Sequence, residues 1–420
     1  MTQPLSPLAF RDFRLYWIAR FSAVLAQNAM VIVIGWQAYD SARTSYGMSV
    51  KEASFQLGLI GLAQFIPLLL LTPITGWVAD RASRRLIGQL SLGLDVVNAL
   101  VLGWLSAHGP VQLPYLFIAA AVHGVVRAFT GPALSALGAN LVPKDVLPRA
   151  IAINSIAWQA GSIAGPALSG FLYAARAPLP YWVAAVMLVI AVLALTLLKP
   201  VTQPKIAGVA HPLRQMADGL AYVRQQRLLL GCISLDLFAV LLGGATALIP
   251  AYARDILHVG ASGFGLLRAA PGAGAAITAI WLSARPVRHD VGNKMLAAVV
   301  VFGATTAVFG LSQSLPLSLL MLAVLGSADM VSVFVRTSLI QLNTPDAMRG
   351  RVSAISGLFI SASNELGEAE SGLLAALIGP VIAVVGGGLG AVGMTLLWAR
   401  LFPELRAART FDPPLEESLT

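Results

Sequence analysis

Residues 143–174 read PKDVLPRAIAINSIAWQAGSIAGPALSGFLYA, and residues 345–376 read PDAMRGRVSAISGLFISASNELGEAESGLLAA. Laid together at a shift of 202 residues, 11 of the 32 positions are identical. They include Pro143/Pro345, Arg149/Arg351, Gly165/Gly367 and Gly170/Gly372. Such a match between distant parts of one chain marks a duplication, and each copy is one long, largely apolar segment. Two related halves with the same membrane orientation are expected, with a substrate site near the midplane between them.

The surrounding sequence identifies the solvent. Of 420 residues, 57% are hydrophobic and 11% charged, with mean hydropathy +0.78. Soluble globular chains are about one quarter charged. Apolar runs of about 18 or more residues, each able to cross about 30 Å of hydrocarbon, recur from end to end. Twelve membrane helices are read at 14–39, 54–79, 86–107, 113–138, 147–174, 179–198, 228–253, 262–284, 293–313, 316–341, 351–378 and 380–402. The fold class is therefore an all-α membrane protein with two pseudo-symmetric six-helix bundles. The N-terminal bundle is expected over 1–198 and the C-terminal bundle over 228–420, ending in a short cytoplasmic tail. Between them, residues 199–227 are polar, proline-bearing and basic, and read as a cytoplasmic linker. The first apolar segment is longer than a signal core and lacks a small-residue cleavage site, so it is expected to be retained.

The net charge of +9 is spread over short loops and termini, with no basic domain and no interleaved aromatics, which excludes a nucleic-acid partner. Placing both termini in the cytoplasm puts 20 of the 28 basic residues on that side, among them Arg81, Arg84 and Arg85. Four remain on the other side: Arg43, Lys51, Arg176 and Arg254. That asymmetry sets the orientation of a multi-pass protein in a bacterial cytoplasmic membrane. The single cysteine, Cys232, excludes an intrachain disulfide framework and a cysteine-based metal cluster. No H-E-x-x-H, G-x-S-x-G or phosphate-cradling G-x-x-x-x-G-K-[ST] occurs, so neither an enzyme nor an ATP-driven pump is expected. No cofactor or metal is expected, and the chain is read as a monomer.

The stretch GWVADRASRR (Gly76–Arg85) resembles the G-x-x-x-D-R-x-G-R-R signature of the major facilitator superfamily, with Ser83 where glycine is usual. The resemblance implies a cytoplasmic gate formed by Gly76, Asp80, Arg81, Arg84 and Arg85. In the second half only the degenerate ARPVRHDVGNK (Ala284–Lys294) corresponds. GSIAGPALSG (Gly161–Gly170) resembles the family's fifth-helix exporter and antiporter motif, which implies that role for Gly161, Gly165, Pro166 and Gly170. Arg127 resembles the family's buried arginine linked to proton coupling. RDFRLYWIARF, HPLRQMADGLAYVRQQ, TPDAMRGRVSAI and LFPELR are similar to the bacterial enterobactin-exporter-like branch, whose members span many substrates.

Ionisable groups at bilayer depth cost roughly 2.5 to 3.5 kcal/mol each on insertion scales, so each needs a reason. Six acids fall within the helices: Asp95, Asp236, Asp329, Glu365, Glu368 and Glu370. At the repeat offset Glu365, Glu368 and Glu370 replace Ile163, Pro166 and Leu168, so the duplicated scaffold does not need acids there. Asn364, Glu365 and Glu368 share one stripe, and neighbouring carboxylates in a low dielectric suit proton loading and release. Glu370 lies about 140° away around the helix. Asp329 and Arg336, seven apart, share a face and suit either an interhelical salt bridge or a direct role. Asp95, with Asn98, and Asp236 are further proton-site candidates. His123, Arg127 and Thr130, and separately Arg20, Gln27 and Asn28, form polar stripes expected to line a cavity. Trp158 and Gln159 are pocket candidates. Trp17, Trp36, Trp104, Tyr115, Tyr181 and Trp182 fall near helix ends and read as interfacial anchors.

The resulting expectation is a secondary active exporter of an amphipathic small molecule, siderophore or drug-like, working by alternating access in exchange for protons. The alternatives are a proton-coupled importer and a non-transporting membrane receptor.

Overall fold

The structure is a computed structural model and describes residues 6–138, 141–143, 146–199, 212–285 and 287–411. Its regular elements among these residues are all helices. The first half holds α1 (Arg11–Thr44), α2 (Val50–Arg81), α3 (Arg84–His108), α4 (Leu113–Gly138), α5 (Leu147–Ala175) and α6 (Leu179–Thr196). A surface helix, α7 (Pro212–Gln225), follows within the stretch expected to be linker. Then come α8 (Arg227–Leu242), the short turn α9 (Ile249–Ala251), α10 (Gly260–Ala284), α11 (Val291–Leu311), α12 (Leu315–Leu342), α13 (Asp346–Ile378), α14 (Pro380–Leu401) and the terminal turn α15 (Pro403–Ala407).

Ten spans are long and apolar enough to cross a membrane by length and composition. The remaining long helices, α5 and α13, have 29 and 33 residues and so exceed about 40 Å each. They carry Asn154, Gln159, Asn364 and the three glutamates, which make them more polar than the other spans. With these two, twelve helical segments among the described residues are long enough to span, ten of them by composition as well, and the chain is an all-α membrane protein. Its outer surface agrees: Ile277 and Ile280 are 69% and 71% exposed, which lipid accepts and water does not.

The helix boundaries have local causes. Ser49 and Glu52 form a capping box at the start of α2, each side chain bonding the other's backbone N–H. Ser83 caps α3 by accepting from the Leu86 N–H. Arg85 donates to the Leu198 and Thr196 carbonyls at 2.5 and 2.9 Å, tying α3 to the end of α6. Gly379 turns α13 into α14 at φ +93°, a conformation that would strain a residue with a Cβ.

By contacts the chain divides into two compact units, residues 1–209 with 249–269, and residues 210–248 with 270–420. The division differs from the sequence boundaries: 249–269 groups with the first unit, and α7 with the second. The first unit has its core around Tyr16, Tyr39, Leu92, Leu116 and Tyr181. The second packs Leu229, Met295, Val335, Leu339 and Leu405.

The duplicated glycines serve the same purpose in both units. A Cβ on Gly165 of α5 would lie 2.6 Å from the Leu25 carbonyl oxygen of α1. A Cβ on Gly367 of α13 would lie 3.0 Å from the Val240 carbonyl oxygen of α8. Lipid gives helices little reason to associate by hydrophobicity, so close approach of backbones at small residues holds them.

Candidate functional site

The span that begins with α8 is not one continuous helix. It stops at Leu242, and Gly243 and Gly244 lead into a 3-10 turn (Ala245–Leu248), the turn α9 and a π-helical turn (Tyr252–Ile256). Irregular backbone at membrane depth persists where it is packed in protein or lines a cavity. Here it does both. A Cβ on Gly244 would meet Ser371 Oγ at 2.6 Å and the Gly367 carbonyl at 2.7 Å, so α13 packs onto the break.

Beside the break lies a cavity of about 250 Å³ within the second unit. Its wall includes Gly243, Gly244 and Thr246 from the broken span, Pro271 from α10, and Phe302 from α11. Its polar lining comes from Asp329 of α12 and from Asn364 and Glu368 of α13. Two carboxyl groups and an amide thus converge on one mostly apolar chamber. The Asn364 amide donates to the Ile360 carbonyl at 2.9 Å, which leaves its oxygen available. The side chain of Glu365 lies outside the described residues. Glu370 is half-buried away from the cavity, and its Oε2 has no hydrogen-bond partner among the described residues.

Arg336 pairs with Asp236 across α12 and α8, with side chains only 5% and 8% exposed. The salt bridge considered for Arg336 is therefore made between helices, with Asp236, and Asp329 remains within electrostatic reach of both.

In the first unit, His123 of α4 and Asp95 of α3 are fully buried, with Nδ1 and Oδ1 2.9 Å apart. Their other polar atoms, His123 Nε2 and Asp95 Oδ2, have no partner among the described residues. Asn98 donates to the Ala119 carbonyl at 3.1 Å, and Thr130 to Ser91 Oγ at 3.0 Å. The α4 stripe was expected to face an aqueous cavity. Instead His123 and Thr130 seal against α3, because each finds a polar partner there. Arg127 on the same helix is half-buried.

On α1, Arg20 and Gln27 are half-buried, and Arg20 Nε and Gln27 Nε2 have no hydrogen-bond partner among the described residues. Asn28 bonds back to the Val24 carbonyl at 2.8 Å. On α5, Trp158 is 50% exposed and Gln159 half-buried. Gly161 and Gly165 face Val24, Leu25 and Ala29 of α1, whereas Gly170 meets Gly265. Pro166 is buried within the helix. Of the gate residues, Arg84 and Arg85 are half-buried, and the side chains of Gly76, Asp80 and Arg81 lie outside the described residues.

Two anchor assignments need correction. Trp36 is 4% exposed and stacks on Phe264 with centroids 4.8 Å apart. Tyr181 is fully buried and donates to Gln37 Oε1 at 2.5 Å, while Gln37 Nε2 donates to Ser106 Oγ. Helix-end position in the sequence does not reveal which face is packed.

One cluster was missed. Tyr39 OH donates to Asp255 Oδ2 at 2.5 Å, and Arg43 Nη2 lies 2.8 Å from Asp255 Oδ1. Beside them Arg254 pairs with Asp40. The two ion pairs are crossed, acid and base from α1 against base and acid from the π-helical turn. The available signal was the pairing of Asp40 with Arg43 in one segment and Arg254 with Asp255 in another, which a count of basic loop residues overlooks.

A family model described as Major Facilitator Superfamily matches residues 16–368. The enterobactin exporter EntS of Citrobacter koseri is 27% identical over 411 residues, covering 96% of this chain and 95% of that protein. EntS of Escherichia coli O1:K1 / APEC is 26% identical over 412 residues, with 97% and 95% covered. Among solved structures, a POT family transporter in complex with 5-aminolevulinic acid has TM-score 0.72 at 13% identity, covering 94% of this chain and 97% of that one. The inward open xylose transporter XylE from E. coli has TM-score 0.67 at 15% identity, with 95% and 100% covered. A family match running through both sequence halves, on twelve spanning helices whose fifth and eleventh are duplicates, makes this chain a member of the Major Facilitator Superfamily and a membrane transporter.

Proposed function

We propose that the protein is a secondary active exporter of an amphipathic small molecule, siderophore-like in class, that exchanges its substrate for protons across a bacterial cytoplasmic membrane. The observation that carries this reading is the chamber where Asp329, Glu368 and Asn364 converge beside the broken span. The matching stretch of the first half holds Ile163, Pro166 and Leu168 in place of the α13 glutamates, so the acids serve something other than the fold. Discontinuous helices beside ionisable groups are a common way for transporters to build binding sites. Similarity to proteins named as enterobactin exporters supports the direction of transport and the substrate class. The G-x-x-x-G-P arrangement at Gly161–Pro166 supports the same direction.

A carboxyl group that exchanges a proton for substrate couples the two flows when it cannot hold both at once. Each proton returning through about 100 mV supplies about 2.3 kcal/mol, which sustains roughly a fortyfold substrate gradient. The chain works as a monomer, with both termini in the cytoplasm.

The test begins with a strain lacking the protein, screened for retained secreted metabolites and for compound sensitivity. The substrate so identified is then followed in everted vesicles carrying the wild-type chain or Glu368→Gln. Proton-driven uptake into the vesicles should fall at least about tenfold in the variant while substrate binding persists. Undiminished proton-driven uptake in Glu368→Gln would remove the proposed coupling.

A further inference from the structure

A second cavity in the second unit is lined by residues other than those of the carboxylate chamber. It measures about 770 Å³ and lies between α10, α11 and α12, a size in the range of roughly 300–1,000 Å³ typical of small-molecule sites. Its origin is a helix crossing. A Cβ on Gly274 of α10 would lie 1.9 Å from the Ala323 carbonyl of α12, and one on Gly326 of α12 the same distance from the Pro271 carbonyl. The two backbones touch there, and the cavity opens one turn beyond, at Thr278. Small side chains then leave room for it: Ala297 and Ala298 on α11, and Ser327 and Ala328 on α12.

The lining changes character along its length. The helical wall includes Val301, Val324 and Val331, whereas the loop end carries Arg285, Arg288, His289 and Lys294. Trp281 stands at the transition, 52% exposed, the position that an indole takes at the headgroup level of a bilayer. From Arg285 to Thr278, and from Lys294 to Val301, the wall descends about 10 Å at 1.5 Å per residue, most of the way through one leaflet. Among the described residues no carboxylate pairs with Arg285, Arg288 or Lys294, and all three are exposed. Asp290 in the same loop is not part of the cavity wall.

We infer that this groove holds one anionic phospholipid, its phosphate against Arg285, Arg288 and Lys294 and its acyl chains along Val301, Val324 and Val331. Three cations with no carboxylate partner among the described residues, beside a mostly apolar slot, match one negative headgroup joined to hydrocarbon. A polar metabolite would leave the apolar wall without a partner, and a neutral lipid would leave the cations without one. Basic pockets between membrane helices are suited to such headgroups. The inference concerns a different face of the chain from the proposed transport chamber and holds whatever the cargo.

The purified full chain, delipidated in detergent, is titrated with phosphatidylglycerol, phosphatidylcholine or inorganic phosphate while thermal unfolding and bound lipid are measured. Phosphatidylglycerol should bind with saturable, near-unit stoichiometry and raise the unfolding temperature, whereas the other two should not. The variant Arg285→Gln/Arg288→Gln/Lys294→Gln changes only exposed side chains. It should bind on the order of a hundredfold more weakly, at about fivefold per lost basic residue. Ala297→Trp keeps every charge and fills the slot, and it should weaken binding as well. Three results would overturn the inference. Inorganic phosphate binding as tightly as the lipid would mean a plain anion site. Full binding by Ala297→Trp would mean adsorption to surface charge. Unaltered binding by the triple variant would mean that the lipid sits elsewhere.

Discussion

The Asp236–Arg336 pair sits where water barely reaches, and that location decides its response to mutation. Removing one member strands the other charge in a low dielectric, at a cost of about 3–5 kcal/mol, whereas replacing both with apolar residues is close to neutral. Arg336→Leu should therefore unfold in detergent at a markedly lower temperature than wild type, and Asp236→Leu/Arg336→Leu should recover most of the loss. A double variant as unstable as the single one would show that the pair contributes more than mutual neutralisation. The sequence made each of these charges visible, because any ionisable residue stands out on an apolar helix. It did not make the pairing visible. Spacing along α12 relates Arg336 to Asp329, seven residues earlier, but carries no information about which face of α8 is opposite. The same limit applies to His123, whose partner Asp95 lies 2.9 Å away on α3.

Helices were legible almost to their ends. The expected spans 86–107 and 113–138 correspond to Arg84–His108 and Leu113–Gly138, because loop charges and caps mark where hydrocarbon stops. The break after Leu242 was not legible. The residues that follow, ATALIPAYA, are as apolar as any helix, and hydropathy measures transfer to lipid rather than continuity of the backbone. The adjoining Gly243 and Gly244 with Pro250 were the local signs. Glycine spacing was more informative on α5, where close approach is the function of the repeat. Gly165→Ala would place a methyl group 2.6 Å from the Leu25 carbonyl oxygen, so α1 and α5 must separate. The expected result is a thermal midpoint lowered by several degrees, equivalent to about 1–3 kcal/mol. Gly131→Ala on α4, where a Cβ meets nothing within 4 Å, should be neutral or slightly stabilising because alanine favours helix more than glycine by about 1 kcal/mol. Equal effects of the two substitutions would mean that helix propensity, not packing, governs the response.

At the scale of the whole molecule, the duplication and the loop charges bear on how the chain is oriented. The proposed orientation puts the basic stretch 199–227, with α7, and both termini on the cytoplasmic side of the membrane. That side collects 20 basic residues against four on the other. The membrane potential drives protons inward, so a chamber that exchanges protons for substrate expels the substrate whichever way the chain is inserted, and orientation decides which side holds the linker and the basic loops. It also decides which leaflet faces Arg285, Arg288 and Lys294. The chain is well suited to a labelling test, since its only cysteine, Cys232, is fully buried on α8 and can be replaced by alanine. In that background Gln313→Cys lies in the loop between α11 and α12, and Gln226→Cys lies between α7 and α8, both exposed. A membrane-impermeant maleimide added to intact cells should modify Cys at 313 and leave Cys at 226 untouched until the cells are permeabilised. The opposite pattern would invert the orientation and move the lipid groove to the outer leaflet. Equal labelling at both positions would mean that the charge asymmetry does not fix insertion at all, and the argument for a cytoplasmic linker would fail with it.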